Sequence, residues 1–244
     1  MSARPCVISK GFYERVLPSA SVDLVLSYVA LHWLSKLPTP LPGSQVTLLR
    51  RHAATVPDVA LQWQAAAHSD LVRFLQLRVN ELCDNGVLCT TMVADLDNPM
   101  AGTVNTAFNK CIADMVTAGI VSTASMEASA VPTYFRAMDD VRAAAAAVPE
   151  LQLRALETVS IPMPFGNVAA MANFFSVVMK PAMIAHMTDA ERADPAMHEA
   201  LADGLLRHFD VDVEVHGAVE PLYKHVSMDY IYASFTRRPR VSSA

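Results

Sequence analysis

The hydrophobic positions of this chain switch between a strand-like and a helix-like period. Val22–Ser27 (VDLVLS) is short, mostly apolar and rich in β-branched residues, the pattern of a buried strand. Pro38–Gly43 (PTPLPG), with its prolines and glycine, is a loop. From Asp58 to Asp84 the period lengthens. Val59, Trp63, Ala66, Leu71, Phe74 and Leu82 fall near helical spacing, and Asp84-Asn85-Gly86 supplies the stop. Gly86–Ala94 (GVLCTTMVA) is a second buried strand. Strand, loop, helix and strand in this order imply a parallel βαβ unit.

Beyond Asp95 helical patterns dominate. Thr103–Ala118 is predicted helical, with Gly119 as its stop, and so is Thr133–Val148, which ends in an alanine run before Pro149. Leu151–Ser160 is a predicted strand, Gly166–Met187 and Thr188–Phe209 are two helices, and the alternating Lys224–Phe235 is a terminal strand. The fold class is therefore α/β, a sheet carrying helical insertions, and long insertions of this kind form lids over ligand sites. The uncharged run Thr158–Met179 is long enough to span a bilayer. It contains Pro162, Pro164, Gly166, Asn167 and Asn173, so it is read as a buried helix starting near Gly166, and no membrane partner is expected.

Composition narrows the partners. The 244 residues, 52% hydrophobic and 18% charged, suit one large domain or two small ones rather than a disordered chain. The net charge is −5, and the only basic cluster is Arg237, Arg238 and Arg240, which argues against nucleic acid. Cys6, Cys83, Cys89 and Cys111 form no CxxC pair. Such scattered thiols point to a reducing, cytoplasmic compartment and to buried structural cysteines. The glycines are all isolated, with no GxG and no Walker loop, and the histidines form no HxH or HExxH. GxSxG is absent as well. No catalytic side chain and no metal site is predicted.

Two stretches carry candidate chemistry. Lys10–Val16 (KGFYERV) is a glycine-aromatic-aromatic turn ahead of a strand, either a packed loop or a functional one. Ser27–Pro38 (SYVALHWLSKLP) crowds His32 and Trp33 just past the end of the first strand. Open parallel sheets bind ligands at the carboxyl ends of their strands. An indole offers an N–H donor and a flat wall, and an imidazole donates or accepts. The pair suits a small anionic molecule; a tryptophan packing the following segment fits the same pattern.

Three segments carry a resemblance. Gly11–Pro38 (GFYERVLPSASVDLVLSYVALHWLSKLP), Ser69–Leu88 (SDLVRFLQLRVNELCDNGVL) and Phe175–Met187 (FSVVMKPAMIAHM) are similar in order and spacing to segments of the plant SABATH methyltransferases, the salicylate, jasmonate and caffeine group. The resemblance implies a partial Rossmann-like class I methyltransferase sheet with an α-helical lid. Residues 1–95 and 150–244 would form the C-terminal part of the core, and 96–149, with part of 162–210, a helical cap. It implies S-adenosylmethionine as cofactor, methyl transfer to the carboxylate of a small acid (a ring nitrogen in the purine branch), and a homodimer. By the same resemblance Gly11 and Phe12 lie along the cofactor, with Ser27 and Tyr28 beside it. Val29 stands where the family has a tyrosine near the reacting centre, and His32 and Trp33 face the substrate, the Trp33 N–H holding a carboxylate oxygen. Asn105 and Tyr134 line the substrate pocket. Glu127–Ala130 (EASA) lacks the family's metal-associated motif, so no magnesium is expected. The family's glycine-containing turn precedes the segment where this chain starts. The expectation is an N-terminally truncated chain, from a methyltransferase or from an inactive paralogue that binds a small molecule or dimerises.

Overall fold

The computed structural model describes residues 8–96 and 98–240; Cys6 lies outside them. Strand β1 (Val22–Tyr28) is followed by α1 (Pro57–Glu81) and β2 (Leu82–Val93). A helical stretch comes next: α2 (Pro99–Thr117), α3 (Thr123–Ala128) and α4 (Met138–Ala146). After β3 (Leu151–Pro162) come α5 (Val168–Ile184), α6 (Asp189–Ala193) and α7 (Pro195–Phe209). The chain closes with β4 (Asp212–Val215), β5 (Ala218–Pro221) and β6 (Ser227–Arg237).

The main sheet has the order β1-β2-β6-β3. β1 and β2 pair in parallel, as a βαβ unit requires, with Leu24 opposite Val87 and Tyr28 opposite Thr91. β6 runs antiparallel between β2 and β3. β4 and β5 form a separate hairpin whose two turn residues, His216 and Gly217, both have positive φ, as a tight hairpin turn demands. The sequence pattern did not predict this hairpin.

Several expectations need correction. β1 is not a strand buried on both faces: among the described residues it is one edge of the sheet. Val25 packs into the core beneath α1, but Leu24 and Leu26 are each 52% exposed on the other face. Its apolar run suits a strand covered on both sides, and only one side is covered here. The helix α1 stops at Glu81, before Asp84-Asn85-Gly86, because Leu82 is already paired with Val22. Gly86 still matters, since a Cβ there would lie 2.9 Å from the Cys83 carbonyl.

Thr133–Arg136 is extended rather than helical. Its backbone bridges to Trp33, Leu48 and Ala94, and α4 begins only at Met138. The predicted helix over Thr188–Phe209 breaks into α6 and α7, where Asp194 caps the second helix and Pro195 opens it. Helix α5 is not buried. Only Met171, Ala172 and Met183 are, and Val177 is 65% exposed. No helix among the described residues is long and apolar enough to cross a membrane. Of the described cysteines Cys111 is buried, while Cys83 and Cys89 are half-buried. Arg237 belongs to no basic patch, for it is buried and donates to the Leu82 carbonyl.

Three apolar cores result. One lies between the covered sheet face and helices α1 and α4, around Phe74, Leu88, Val141 and Phe235. A second joins α2, α5 and α7 around Phe108, Met171, Leu205 and Phe209. A third holds Trp63, Leu41 and Tyr134. The helices α2, α5 and α7 thus form a layer of their own, whereas α4 packs with the sheet.

Candidate active site

The chain leaves the sheet at Val29, which takes a left-handed φ of 50°. A β-branched residue rarely does so. Its N–H donates to the Thr91 carbonyl at 2.9 Å. The next carbonyls are then taken one after another. The Arg136 guanidinium donates to the Leu31 carbonyl through Nε (3.2 Å) and Nη2 (3.0 Å). The Tyr134 N–H donates to the His32 carbonyl at 2.8 Å, and the Tyr13 hydroxyl to the Trp33 carbonyl at 2.7 Å. Tyr13 and the segment Tyr134–Arg136 therefore fix the backbone that presents His32 and Trp33.

His32 is 6% exposed, and its ring lies 5.5 Å from that of Trp33 and 6.1 Å from that of Phe135. Burial, then the nearby Arg136 charge, lowers its pKa to about 4. The imidazole is neutral at neutral pH, and its Nδ1 has no hydrogen-bond partner among the described residues.

These side chains open onto a cavity of about 330 Å³ between the sheet end and the helical layer. α2 contributes Asn105 and Phe108, and α5 contributes Phe175 and Met179. Phe175 is held edge-on against Phe209 of α7, centroids 5.5 Å apart, so α7 braces this wall. The lining is largely apolar, with no Lys, Arg, Asp or Glu. Among the described residues no cluster of three or more His, Cys, Asp or Glu could hold a metal.

The structure brings four of the sequence-predicted substrate residues together: Val29, His32, Trp33 and Asn105 all line the cavity. Tyr134 does not join them. Its ring sits with Trp63 and Leu48 in the third core, beside a separate cavity of about 150 Å³. Alternation along the extended segment turns its neighbours Thr133 and Phe135 into the main cavity instead. Sequence reasoning missed Thr133 because the segment was taken as helix. It also missed Thr47, for which the sequence carries no signal.

The comparison with known proteins decides the family. The description "SAM dependent carboxyl methyltransferase" matches residues 5–207 of this chain. The chain belongs to this family. Two methyltransferases, one from Fusarium and one from a plant, are similar to part of the chain. Methyltransferase LUC1 of Fusarium sp is 34% identical over 142 residues, 57% of this chain and 35% of that protein. Gibberellic acid methyltransferase 1 of Arabidopsis thaliana is 24% identical over 148 residues, 55% of this chain and 39% of that protein. The chain thus spans well under half the length of these relatives. A solved structure, "Loganic acid methyltransferase with SAH", superposes with a TM-score of 0.74 over 96% of this chain and 67% of that one, at 18% identity. That likeness establishes a methyltransferase fold.

Phe12 is half-buried against the core beneath α1, its ring 4.5 Å from that of Tyr13, and Gly11 is exposed beside it. Ser27 alternates onto the same side of β1 as Val25, whereas Tyr28 lies on the opposite face and is 60% exposed. The Phe12 ring, and the Ser27 hydroxyl on the same α1-covered side of β1, are the groups on that wall that could hold an adenosyl group. Tyr28, pointing the other way, does not share that wall.

Proposed function

We propose that this chain binds a small carboxylic acid and takes part in its O-methylation with S-adenosylmethionine. The observation that carries the reading is the apolar cavity of about 330 Å³ at the carboxyl end of β1, with His32 and Trp33 presented to it, in a chain of the carboxyl methyltransferase family. The Trp33 indole lines the cavity and carries an N–H donor suited to a carboxylate oxygen. A carboxylate, with a pKa of about 4, is ionised at neutral pH. No side chain has to remove its proton, in keeping with a cavity lined by a neutral histidine and no acidic group. The apolar walls exclude water and strengthen the few polar contacts inside. S-adenosylmethionine, when bound, supplies a methyl group on a positively charged sulfur. Gly11, Phe12 and Ser27 would lie along it, and Val29 and Trp33 would hold the acid.

The test is incubation of the chain, and of any longer polypeptide that contains it, with methyl-labelled S-adenosylmethionine and a panel of aliphatic and aromatic acids. Labelled methyl esters are the expected product. Label found only on ring nitrogens, or acids that do not bind at all, would overturn the reading.

A second reading is acid binding without turnover. The observation favouring it is the unpaired outer edge of β1 among the described residues, which leaves a single wall for the cofactor. Calorimetry separates the two, because the second reading expects acid binding with no heat from S-adenosylmethionine. The apolar residues on the open sheet face, Leu24, Leu26, Val159 and Ile161, would support a homodimer, to be checked by sedimentation. The described cysteines are free thiols, which supports a cytoplasmic setting.

A further inference from the structure

Three backbone segments lie side by side along one wall of the cavity. Val131–Arg136 is the middle one. On one side Leu34 N–H donates to the Pro132 carbonyl at 2.7 Å and Trp33 bridges to Thr133. On the other, Val131 N–H donates to the Val46 carbonyl at 2.7 Å and Leu48 bridges to Tyr134. This order places Thr133 between His32 and Thr47, and all three line the cavity.

Each of the three has unused hydrogen-bonding capacity although deeply buried. Thr133 is 4% exposed, and its Oγ1 has no partner among the described residues; the same is true of His32 Nδ1. Thr47, 3% exposed, ends a polarised chain. Val46 N–H donates to Asn109 Oδ1 at 3.1 Å, Asn109 Nδ2 to Asn105 Oδ1 at 3.1 Å, and Asn105 Nδ2 to Thr47 Oγ1. The Thr47 oxygen is thereby an acceptor already engaged, and its hydroxyl proton has no acceptor among the described residues. Buried polar atoms in folded proteins are nearly always paired. Two adjacent exceptions, His32 Nδ1 and Thr133 Oγ1, with the Thr47 hydroxyl beside them, face one apolar cavity and call for a ligand that carries oxygen along the same line.

We propose that Thr133 and Thr47 form a second recognition point, which reads a hydroxyl or carbonyl oxygen on the acid. The inference rests on the carboxylate reading above. The substrate class is then an oxygenated acid with an apolar body, rather than a plain hydrocarbon acid. Neighbouring strands are about 4.8 Å apart. The second oxygen therefore lies about 5 to 10 Å from the carboxylate held at Trp33. The facing walls, Val104, Phe108, Phe175 and Met179, contact the carbon skeleton.

The probes are 3-(4-hydroxyphenyl)propanoate and 3-phenylpropanoate, which differ only in the distal oxygen, with 3-phenylpropanamide as the uncharged control. Affinities for the full chain are measured by titration calorimetry. The hydroxy acid is expected to bind about fivefold to tenfold more tightly than its deoxy partner. Thr133→Val brings that ratio near one, and Thr133→Ser, which keeps the hydroxyl, restores it. Equal affinities in the unsubstituted chain overturn the second recognition point and leave the carboxylate reading standing. An amide that binds as well as 3-phenylpropanoate overturns the carboxylate reading, while the hydroxy-to-deoxy ratio still decides the role of the threonines. A ratio that survives both Thr133→Val and Thr47→Val also overturns the proposal, as does a failure of all three probes to bind.

Discussion

The Tyr13 hydroxyl donates to the Trp33 carbonyl at 2.7 Å, tying the aromatic turn before β1 to the residues after it. The turn is anchored at its other end as well. Arg78 Nη2 donates to the Glu14 carbonyl at 2.8 Å, and Val16 and Leu17 donate their N–H groups to Glu81. Tyr13→Phe removes one hydrogen bond and leaves the Trp33 carbonyl without that donor. A loss of about 1 kcal/mol in unfolding free energy is expected, with weaker binding of the acid probes. Burial raises the Tyr13 pKa to about 12, so its hydroxyl keeps its proton throughout the working range. Denaturant unfolding and calorimetry check both effects; a variant as stable as the parent, with the same affinities, would show that the bond positions nothing.

How much of this was legible beforehand depends on which level of structure set each feature. The parallel β1-α1-β2 unit and the placement of His32 and Trp33 past the strand end follow from local periodicity. Asn105 was flagged through the family resemblance. The exposure of Leu24 and Leu26 was not legible, because an apolar strand pattern does not show what packs against each face of the sheet. The extended Thr133–Arg136 was lost to the alanine-rich helix behind it: bridges to Trp33, Leu48 and Ala94 override its local propensity, and no one-dimensional pattern shows those partners. The Tyr134 expectation came from the family resemblance instead, and the extended backbone turns Thr133 and Phe135, not Tyr134, toward the main cavity.

His32 gives the fold a defined acid sensitivity. It is neutral in the native state down to its pKa of about 4, whereas in the unfolded chain it takes up a proton near 6.5. Between these values the unfolded state binds more protons, so this contribution to stability is intact above about pH 6.5 and is lost as pH falls towards 4. The full loss is about 3 kcal/mol, as an upper figure. His32→Gln removes this component. The stability difference between parent and variant should therefore shrink between pH 6.5 and 4 in parallel denaturant titrations. A difference independent of pH would mean that the imidazole is not held neutral.

Val29 is 44% exposed and holds a left-handed conformation at the mouth of the cavity. The left-handed region costs an ordinary residue about 1–2 kcal/mol. Glycine avoids that strain but costs about 0.5–1 kcal/mol in chain entropy. Val29→Gly should therefore be neutral or stabilising by about 1 kcal/mol despite losing a side chain. A drop of more than about 2 kcal/mol in unfolding free energy would mean that the backbone there is not strained.

Gly204 and Cys111 set the distance between α7 and α2, and hence the position of Asn105 and Phe108. A Cβ at Gly204 would lie 2.5 Å from Cys111 Sγ, too close without displacement. Cys111 is buried and its thiol, with a pKa pushed up to about 12 by burial, stays protonated and behaves as an apolar filler. Overpacking of this kind typically costs about 1–3 kcal/mol, so Gly204→Ala should destabilise by that amount. Cys111→Ala alone opens a small void and should cost about 1 kcal/mol. Together the two changes exchange the volumes, the new methyl entering the space the sulfur leaves. The double variant should then be more stable than the sum of the single effects predicts, by at least about 1 kcal/mol. Strict additivity in a denaturant-based double-mutant cycle would mean that the helices separate to admit the methyl group. In that case the cavity wall, rather than the Cys111 site, would take up the strain, and the acid probes would lose affinity in the Gly204→Ala variant.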